Sequence, residues 1–147
     1  MIVIYSMRLD DCPALTCLRK LDPSFQSDCH LYVHINGKRD FTSEIMRMYS
    51  GSFSSVTIKY DGHNRGIVCA YRQAILNLGK NVEWITFLDQ DSIFDNSLFN
   101  AINASIPCLL ENEMVLAPVV KGNGSGVHIS PFRVFFGKAI PINSVFG

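Results

Sequence analysis

The sequence predicts an α/β fold, a mainly parallel sheet with helices on both faces. Short apolar runs of strand character alternate with segments whose apolar residues recur at helical spacing. The 147 residues suit one domain, and 48% of them are hydrophobic, which is enough for a real core. Neither an internal repeat nor an interdomain linker is visible. Residues 1–147 are therefore expected to form a single domain.

The first half of the chain is predicted to contain three strands and two helices. Asp10 and Asp11 precede Pro13, a pattern typical of a helix start with a carboxylate cap. The Asp22-Pro23 pair is expected to end that helix. The predicted strands are residues 2–5, 30–35 and 55–60, and the second helix is 41–49.

The second half begins with a polar, glycine-bearing loop over residues 61–66, which leads into a helix. That helix has one apolar face made of Ile67, Ala70, Tyr71, Ala74, Ile75 and Leu78. Gly79 is predicted to cap its carboxyl end. The remaining predicted elements are a buried strand over residues 84–88, a helix over 95–105, and strands over 113–120 and 127–136.

Two carboxylates follow the apolar run 84–88. Asp89 and Asp91 lie two residues apart where the strand should leave the sheet, and open α/β sheets bind ligands at the carboxyl ends of their strands. Carboxylates this close repel each other unless a cation lies between them. Mg²⁺ prefers one or two carboxylates together with substrate phosphates. The alternative is a strand end followed by a helix cap at Asp91 or Ser92.

Composition excludes several classes of protein. Thirteen basic residues balance thirteen acidic ones, so the basic excess of a nucleic-acid binder is missing. Five cysteines without Cys-x-x-Cys spacing indicate a reducing, cytoplasmic setting. No apolar stretch approaches the roughly 20 residues of a membrane span. Peripheral association at the inner face of a membrane and a homo-oligomer both stay open. Dinucleotide-binding and Walker A fingerprints are absent.

The order of these motifs resembles a known family. The first predicted strand ends in Tyr5, and Asn36-Gly37, Asn64-Arg65-Gly66 and Asp89-Gln90-Asp91 follow the later ones. This pattern is similar to the nucleotide-sugar half of family 2 glycosyltransferases with the GT-A fold. The Asp-Gln-Asp form resembles bacterial rhamnosyltransferase-like members, which assemble surface polysaccharide.

The resemblance implies a donor site and a metal. Asp89 and Asp91 would hold Mg²⁺ or Mn²⁺, which neutralises the leaving nucleoside diphosphate. The donor would be a UDP- or dTDP-linked sugar, and the acceptor a saccharide. The implied nucleotide-sugar-binding residues are Tyr5, Asn36, Asn64, Gly66 and Asp89. The alternative for Tyr5 is a half-buried core aromatic, and for residues 64–66 a plain loop with a helix cap.

Two departures from the family pattern matter. The family's base-reading aspartate is replaced by Ile35, and His34 could substitute only if the strand register shifted. After Asp95 the chain contains no aspartate, and Glu111 and Glu113 come too early for the general base. The base is therefore expected to be missing, and the fold is expected to stop before the acceptor half. The chain would be a truncated piece, a natural remnant, or a donor-binding half that needs another subunit.

Two other functions compete with this prediction. The first is a degenerate glycosyltransferase-like domain that acts in assembly and has no metal requirement. The second is a nucleotidyltransferase, which also uses paired carboxylates and metal. The second is disfavoured because no glycine-rich, basic triphosphate loop follows the first strand.

Asp40 is expected to be a surface or capping residue, and His128 a surface residue or a neighbour of the metal.

Overall fold

The computed structural model describes residues 1–78 and 82–108, together with the strand residues 120–121, 128–130, 132–135 and 138–141. The chain divides into two compact units, Met1–Asn96 and Ser97–Gly147. Each unit is described by itself below.

The first unit contains a four-stranded parallel sheet. Its strands are β1 (Ile2–Ile4), β2 (His30–Ile35), β3 (Ser55–Tyr60) and β4 (Leu88–Asp89). Their order is β3-β2-β1-β4, and each neighbouring pair runs parallel. With helices between the strands, this confirms the predicted α/β class and parallel sheet. All four carboxyl ends lie at one edge of the sheet.

Four helices lie in the connections of the first unit. They are α1 (Pro13–Leu18), α2 (Pro23–Asp28), α3 (Thr42–Tyr49) and α4 (Ile67–Leu78). The predicted carboxylate cap on α1 is wrong. Asp10 and Asp11 belong to the 3-10 turn Leu9–Asp11, and α1 has Cys12 at its N-cap without a side-chain cap bond.

Asp22 begins a helix that the sequence did not predict. Its carboxylate accepts a hydrogen bond from the Ser24 N–H at 2.9 Å, and Pro23 occupies the first turn of α2. The preceding helix has already ended at Leu18. A proline after a capping residue favours the start of a helix as much as it opposes the continuation of one. The Asp22-Pro23 pair therefore starts α2.

Most of the core of the first unit comes from apolar side chains of β1, β2, α1 and α3. Each fully buried aliphatic or aromatic side chain contributes roughly 1.5–3 kcal/mol to folding. The buried Tyr49 hydroxyl donates a hydrogen bond to the Leu15 carbonyl oxygen at 2.7 Å, so the polar group of this side chain has a partner inside the core. Its large aliphatic side chains that are no more than 2% exposed are Ile2, Ile4, Leu15, Val33, Ile35 and Ile45.

The buried face of α4 is narrower than the sequence predicted. Ala70 and Ala74 are fully buried, and small side chains let α4 pack closely against β2. Ile67 and Ile75 are exposed instead of buried. Ile67 and Ile75 therefore belong to the apolar pattern of α4 but are not covered by packing within the described residues.

The last strand of the sheet is much shorter than predicted. The expected buried strand 84–88 is only Leu88–Asp89, and Phe87 is 41% exposed. Within the described residues β4 pairs only with β1, at Ile2↔Leu88 and Val3↔Asp89. Because β1 has three residues, its ladder cannot extend along the whole apolar run.

The second unit contains most of α5 (Asn96–Ser105), the 3-10 turn Ile106–Cys108 and two antiparallel strand pairs. Strand β5 (Val120–Lys121) pairs with β6 (His128–Ser130), and β7 (Phe132–Phe135) pairs with β8 (Lys138–Pro141). The predicted single strand 127–136 is therefore two strands with different partners. Pro131, which has no backbone N–H, separates them in the sequence.

Two predictions fall mostly outside the described residues. Gly79, the expected helix cap, is one of them, and only Val120 of the predicted strand 113–120 is described. The helix predicted over residues 95–105 is confirmed as α5. Among the residues that the structure describes, no helix is long and apolar enough to cross a bilayer.

Candidate functional site

The predicted site residues come together at the carboxyl edge of the sheet. Tyr5 follows β1, Asn36 follows β2, residues 61–66 follow β3, and Asp89 ends β4. In a parallel sheet these positions meet at one edge, where ligands of open α/β folds bind. The structure therefore places every predicted segment at a common edge.

A cleft of about 400 Å³ opens at this edge. Its described lining comes from residue 4 at the end of β1 and residues 5–8 after it, from residues 35, 37–39 and 41 around the end of β2, and from residues 63–64 in the loop after β3. Tyr5 and Asn64, two of the predicted site residues, line it. The volume lies within the range of small-molecule sites.

Backbone strain shapes the wall of the cleft after β1. Ser6 has a φ of 50°, the left-handed region that residues other than glycine rarely adopt. The turn directs residues 6–8 along the cleft and leaves the Tyr5 ring 48% exposed. An exposed aromatic beside a concave surface is suited to stacking on a planar ligand.

Asn36 is buried next to the cleft and holds the surrounding segments together by hydrogen bonds. It is 3% exposed and does not belong to the described lining. Its side-chain oxygen accepts a hydrogen bond from the Arg65 N–H at 2.9 Å, and its own N–H donates to the Ile4 carbonyl at 2.8 Å. Asn36 therefore connects the ends of β1 and β2 to the loop after β3.

Asn64 and Gly66 form the entry to α4. The Asn64 side-chain oxygen accepts from the Gly66 N–H at 2.8 Å, and Gly66 has a φ of 83°. The Gly66 carbonyl then accepts a hydrogen bond from the Ala70 N–H, which is the first hydrogen bond of helix α4. The local hydrogen bonding matches the capping alternative, and Asn64 also lines the cleft.

Asp61 is a central residue of this loop that sequence reasoning missed. Its side chain is 11% exposed and lies 3.4 Å from Lys59, 3.7 Å from Arg65 and 4.0 Å from His34. Burial alone would raise the pKa of Asp61, but the neighbouring Lys59 and Arg65 lower it below the ordinary value. Asp61 is therefore ionised and holds the loop in place.

His34 lies beneath Asp61 and is 1% exposed. Burial lowers the pKa of its ring, although the Asp61 carboxylate acts in the opposite direction. The imidazole is therefore neutral near pH 7. Neither of its ring nitrogens has a hydrogen-bond partner among the described residues.

The acidic turn, residues 89–92, follows β4. Asp89 and Asp91 are both exposed, and the Ser92 N–H donates to the Asp89 carbonyl at 3.0 Å. Among the described residues neither carboxylate forms an ion pair with a basic side chain. These two carboxylates therefore face solvent, and within the described part of the chain no basic side chain pairs with them.

Gln90 anchors the acidic turn, a role that the sequence did not reveal. Its side-chain oxygen accepts the Tyr5 N–H at 2.7 Å. Its backbone carbonyl accepts from the Ala14 N–H and from the Cys12 thiol, each at 3.2 Å. The middle residue of the Asp-Gln-Asp motif thus fixes the turn beside the wall of the cleft.

Tyr71 of α4 contacts the same turn. Its ring packs against Phe87, with centroids 4.5 Å apart. Burial raises the pKa of the Tyr71 hydroxyl, and the Asp89 carboxylate beside it raises the pKa further by its charge and by accepting a hydrogen bond. The Tyr71 hydroxyl therefore stays protonated beside Asp89.

The carboxylates of the acidic turn are of the chemical type that binds a divalent cation. Oxygen donors are what Mg²⁺ and Mn²⁺ take, and two exposed carboxylates leave most coordination positions to phosphates and water. Within the described part of the chain no group of three or more His, Cys, Asp or Glu side chains is placed to hold a metal. A metal at Asp89 and Asp91 would therefore depend on its ligand to complete the coordination.

Two secondary predictions have different outcomes. Asp40 is exposed, which confirms the surface alternative, and it accepts the Thr42 N–H at 2.8 Å although Phe41 is the N-cap of α3. That hydrogen bond, together with one from the Thr42 hydroxyl, lowers the pKa of Asp40. The side chain of His128 lies outside the described residues, so its relation to the metal site stays a prediction.

Comparison with known proteins gives no relative for this chain. No family model matches it, and no match was found among curated proteins or solved structures. The case for its function therefore depends on the site itself.

Proposed function

We propose that this chain is a glycosyltransferase-type domain that binds a nucleotide-diphosphate sugar. Asp89 and Asp91 would hold Mg²⁺ or Mn²⁺, and the cleft beside Tyr5 would hold the nucleotide. The reaction class is sugar transfer to a saccharide acceptor, in the synthesis of surface polysaccharide.

One observation carries this proposal. The exposed carboxylate pair of the acidic turn adjoins a cleft of about 400 Å³ at the carboxyl edge of a parallel sheet. Gln90 links the two directly, because its side chain accepts the N–H of Tyr5, a cleft residue. A bound metal supplies positive charge for a diphosphate, and the cleft offers an aromatic surface for a base.

The residues divide into contacting and supporting groups. In this proposal Tyr5 and Asn64 would contact the nucleotide, and Asp89 and Asp91 would hold the metal. Asn36 and Gly66 act through backbone geometry, since one fixes the loop after β3 and the other allows its turn into α4. Tyr71 lies beside Asp89, and its hydroxyl stays protonated there. We assign no general base among the described residues.

Calorimetric titration of UDP and dTDP, with and without Mn²⁺, tests the proposal. We expect Mn²⁺ to tighten binding of at least one nucleotide. Asp91→Asn should abolish that metal effect without lowering the melting temperature. Asp28→Asn is the matched control, because Asp28 is an exposed carboxylate at the end of α2, outside the cleft lining.

Two results would contradict the proposal. One is no binding of either nucleotide at about millimolar concentration with Mn²⁺ present. The other is an equal loss of the metal effect in Asp91→Asn and Asp28→Asn, since that would show a general charge effect. Retained metal dependence in Asp91→Asn would remove Asp91 from the site.

A specific observation also supports the assembly alternative. Helix α4 exposes Val68, Ile75 and Leu76, with Val68 at 76%. Exposed apolar side chains grouped on one helix are typical of contact surfaces between proteins. In this alternative the protein forms concentration-dependent dimers with or without metal, and Val68→Ser with Leu76→Ser disperses them. Monomers over a wide concentration range in analytical ultracentrifugation would reject it.

A further inference from the structure

The cleft has a positively charged lining. Three basic side chains, Arg8, Lys38 and Arg39, belong to its described lining, which contains no carboxylate. Only Arg8 pairs with an acidic residue among the described ones, namely Asp11 at 3.8 Å. Because both of those groups are largely exposed, the pair is weak and easily replaced by a ligand. The cleft therefore presents basic groups that the protein itself barely neutralises.

The Arg39 guanidinium and the backbone of Lys38 are held in place by their neighbours. The Arg39 guanidinium lies over the Phe41 ring, 4.9 Å from its centroid, and stacking leaves the N–H groups at its edge available. The backbone of Lys38 is fixed because its carbonyl accepts the Tyr60 hydroxyl at 2.7 Å. Basic groups held before binding lose less conformational freedom when they contact an anion.

The positive cleft adjoins the negative turn. Tyr5 lies in the cleft lining, and its N–H donates to Gln90, between Asp89 and Asp91. A nucleoside diphosphate carries more negative charge than one divalent cation neutralises. Arginine and lysine donate only, and phosphate oxygens are the acceptors that match them.

We propose that Arg8, Lys38 and Arg39 form an anion site that contacts the phosphates of a nucleoside diphosphate directly. This inference rests on the proposed function, and it adds a property that the metal motif does not supply. The domain binds a nucleoside diphosphate even without metal, and the metal at the acidic turn increases that affinity. Metal-free binding weakens as salt is added, because the contacts are between charges near the surface.

The test is titration of UDP and of inorganic pyrophosphate into the full chain, in EDTA and in Mn²⁺. The test variant is Arg8→Gln with Lys38→Gln and Arg39→Gln. The control is Arg19→Gln with Lys20→Gln and Arg47→Gln, which also removes two arginines and one lysine, all exposed and outside the cleft lining. Melting curves verify folding, and the single Lys38→Gln and Arg39→Gln variants carry the test if the triple variant does not fold.

We expect the cleft variant to lose about tenfold or more of the UDP affinity in EDTA, since each charge-assisted contact is worth roughly a factor of ten. The control variant should stay within about twofold. Equal losses in the two variants would overturn the anion site. Uridine should bind far more weakly than UDP, since it lacks phosphate.

The outcomes separate this inference from the proposed function. If UDP binds only with Mn²⁺ and the cleft variant matches the control, the donor site stands and the anion site is rejected. If pyrophosphate binds in EDTA and loses affinity in the cleft variant, while neither UDP here nor dTDP in the titration above binds, the three basic residues form a phosphate site, but its assignment to a nucleoside diphosphate and the nucleotide-sugar function are both rejected. If pyrophosphate and both nucleotides fail to bind, the anion site and the nucleotide-sugar function are both rejected.

Discussion

Two acidic regions at the same edge of the sheet differ in how the protein treats their charge. Asp61, after β3, is mostly buried and lies within 4.0 Å of Lys59, Arg65 and His34. Asp89 and Asp91, after β4, are exposed, and in the described part of the chain no basic side chain pairs with them. The first charge is used within the fold, whereas the second pair is left for something outside it.

The difference teaches how to separate structural from functional carboxylates. A buried carboxylate among cations has its charge balanced by the fold, so its loss is felt in stability. An exposed pair without cations carries mutual repulsion that the fold does not relieve. Such a pair persists at little cost in stability and is available for a cation. The following predictions test this contrast between Asp61 and the acidic turn.

The largest expected effect is the loss of the Asp61 charge. Asp61→Asn should lower the free energy of unfolding by about 2 kcal/mol, because it leaves Lys59 and Arg65 without their partner and loosens residues 61–66. Asp91→Asn should change it by no more than about 0.5 kcal/mol. Urea denaturation of both variants measures this, and equal destabilisation would break the contrast.

The conformation of Gly66 should matter less. Gly66→Ala forces a side chain into a backbone with a φ of 83° and should cost about 1 kcal/mol. Gly37→Ala is the control, because its added methyl group would meet only Ser6 N at 3.7 Å, an ordinary contact, and its φ lies outside the left-handed region. Urea midpoints that fall equally for the two variants would show that the loop is not held in the left-handed turn.

The Gln90 anchor should have a comparable or smaller effect on stability but a specific effect on binding. Gln90→Met removes the acceptor for the Tyr5 N–H while keeping the length of the side chain, and should cost about 1 kcal/mol or less. The metal effect on UDP affinity should weaken along with it, because the turn is no longer fixed. Gln90→Glu retains an acceptor for the Tyr5 N–H. In added salt it should therefore keep more of the wild-type stability than Gln90→Met does. A Gln90→Met variant with unchanged metal dependence would show that the acidic turn keeps its position without the hydrogen bond between Gln90 and Tyr5.

The sequence predicts the elements whose patterns are local. The predicted spans of β2, β3 and α4 match the structure because apolar periodicity and a flanking turn or glycine define both ends. The length of β4 could not be predicted from its own residues, since its register depends on how many residues β1 offers. Local composition says nothing about a partner elsewhere in the chain.

The same reason explains which site residues were missed. Gln90 acts through Tyr5, which lies 85 positions away in the sequence, so no spacing rule points to it. The role of Asp61 depends on His34 from a neighbouring strand and on the loop closing back over both. In contrast, the pair at Asp89 and Asp91 is visible in the sequence, because two carboxylates after an apolar run need no distant partner to be noticed.

The smallest expected effect is a pH dependence that links the two halves of the Asp61 cluster. Burial lowers the pKa of His34 below 6.5, and Asp61 opposes that shift. The unfolded chain therefore takes up a proton near pH 6.5 that the folded chain does not, and stability present above that pH is lost as the pH falls toward the folded pKa. Urea midpoints between about pH 7.5 and about pH 5.5 should fall for the wild type and fall less for His34→Gln.

Asp61→Asn sharpens the same measurement. It removes the carboxylate that favours protonation of His34, so the folded pKa of His34 drops further and stability falls more steeply over the same pH range. Asp91→Asn should leave the slope as in the wild type, because Asp91 is not among the charges that shift the pKa of His34. If Asp61→Asn leaves the slope of stability against pH unchanged, Asp61 interacts only with Lys59 and Arg65. Asp61 would then have no part in the titration of His34.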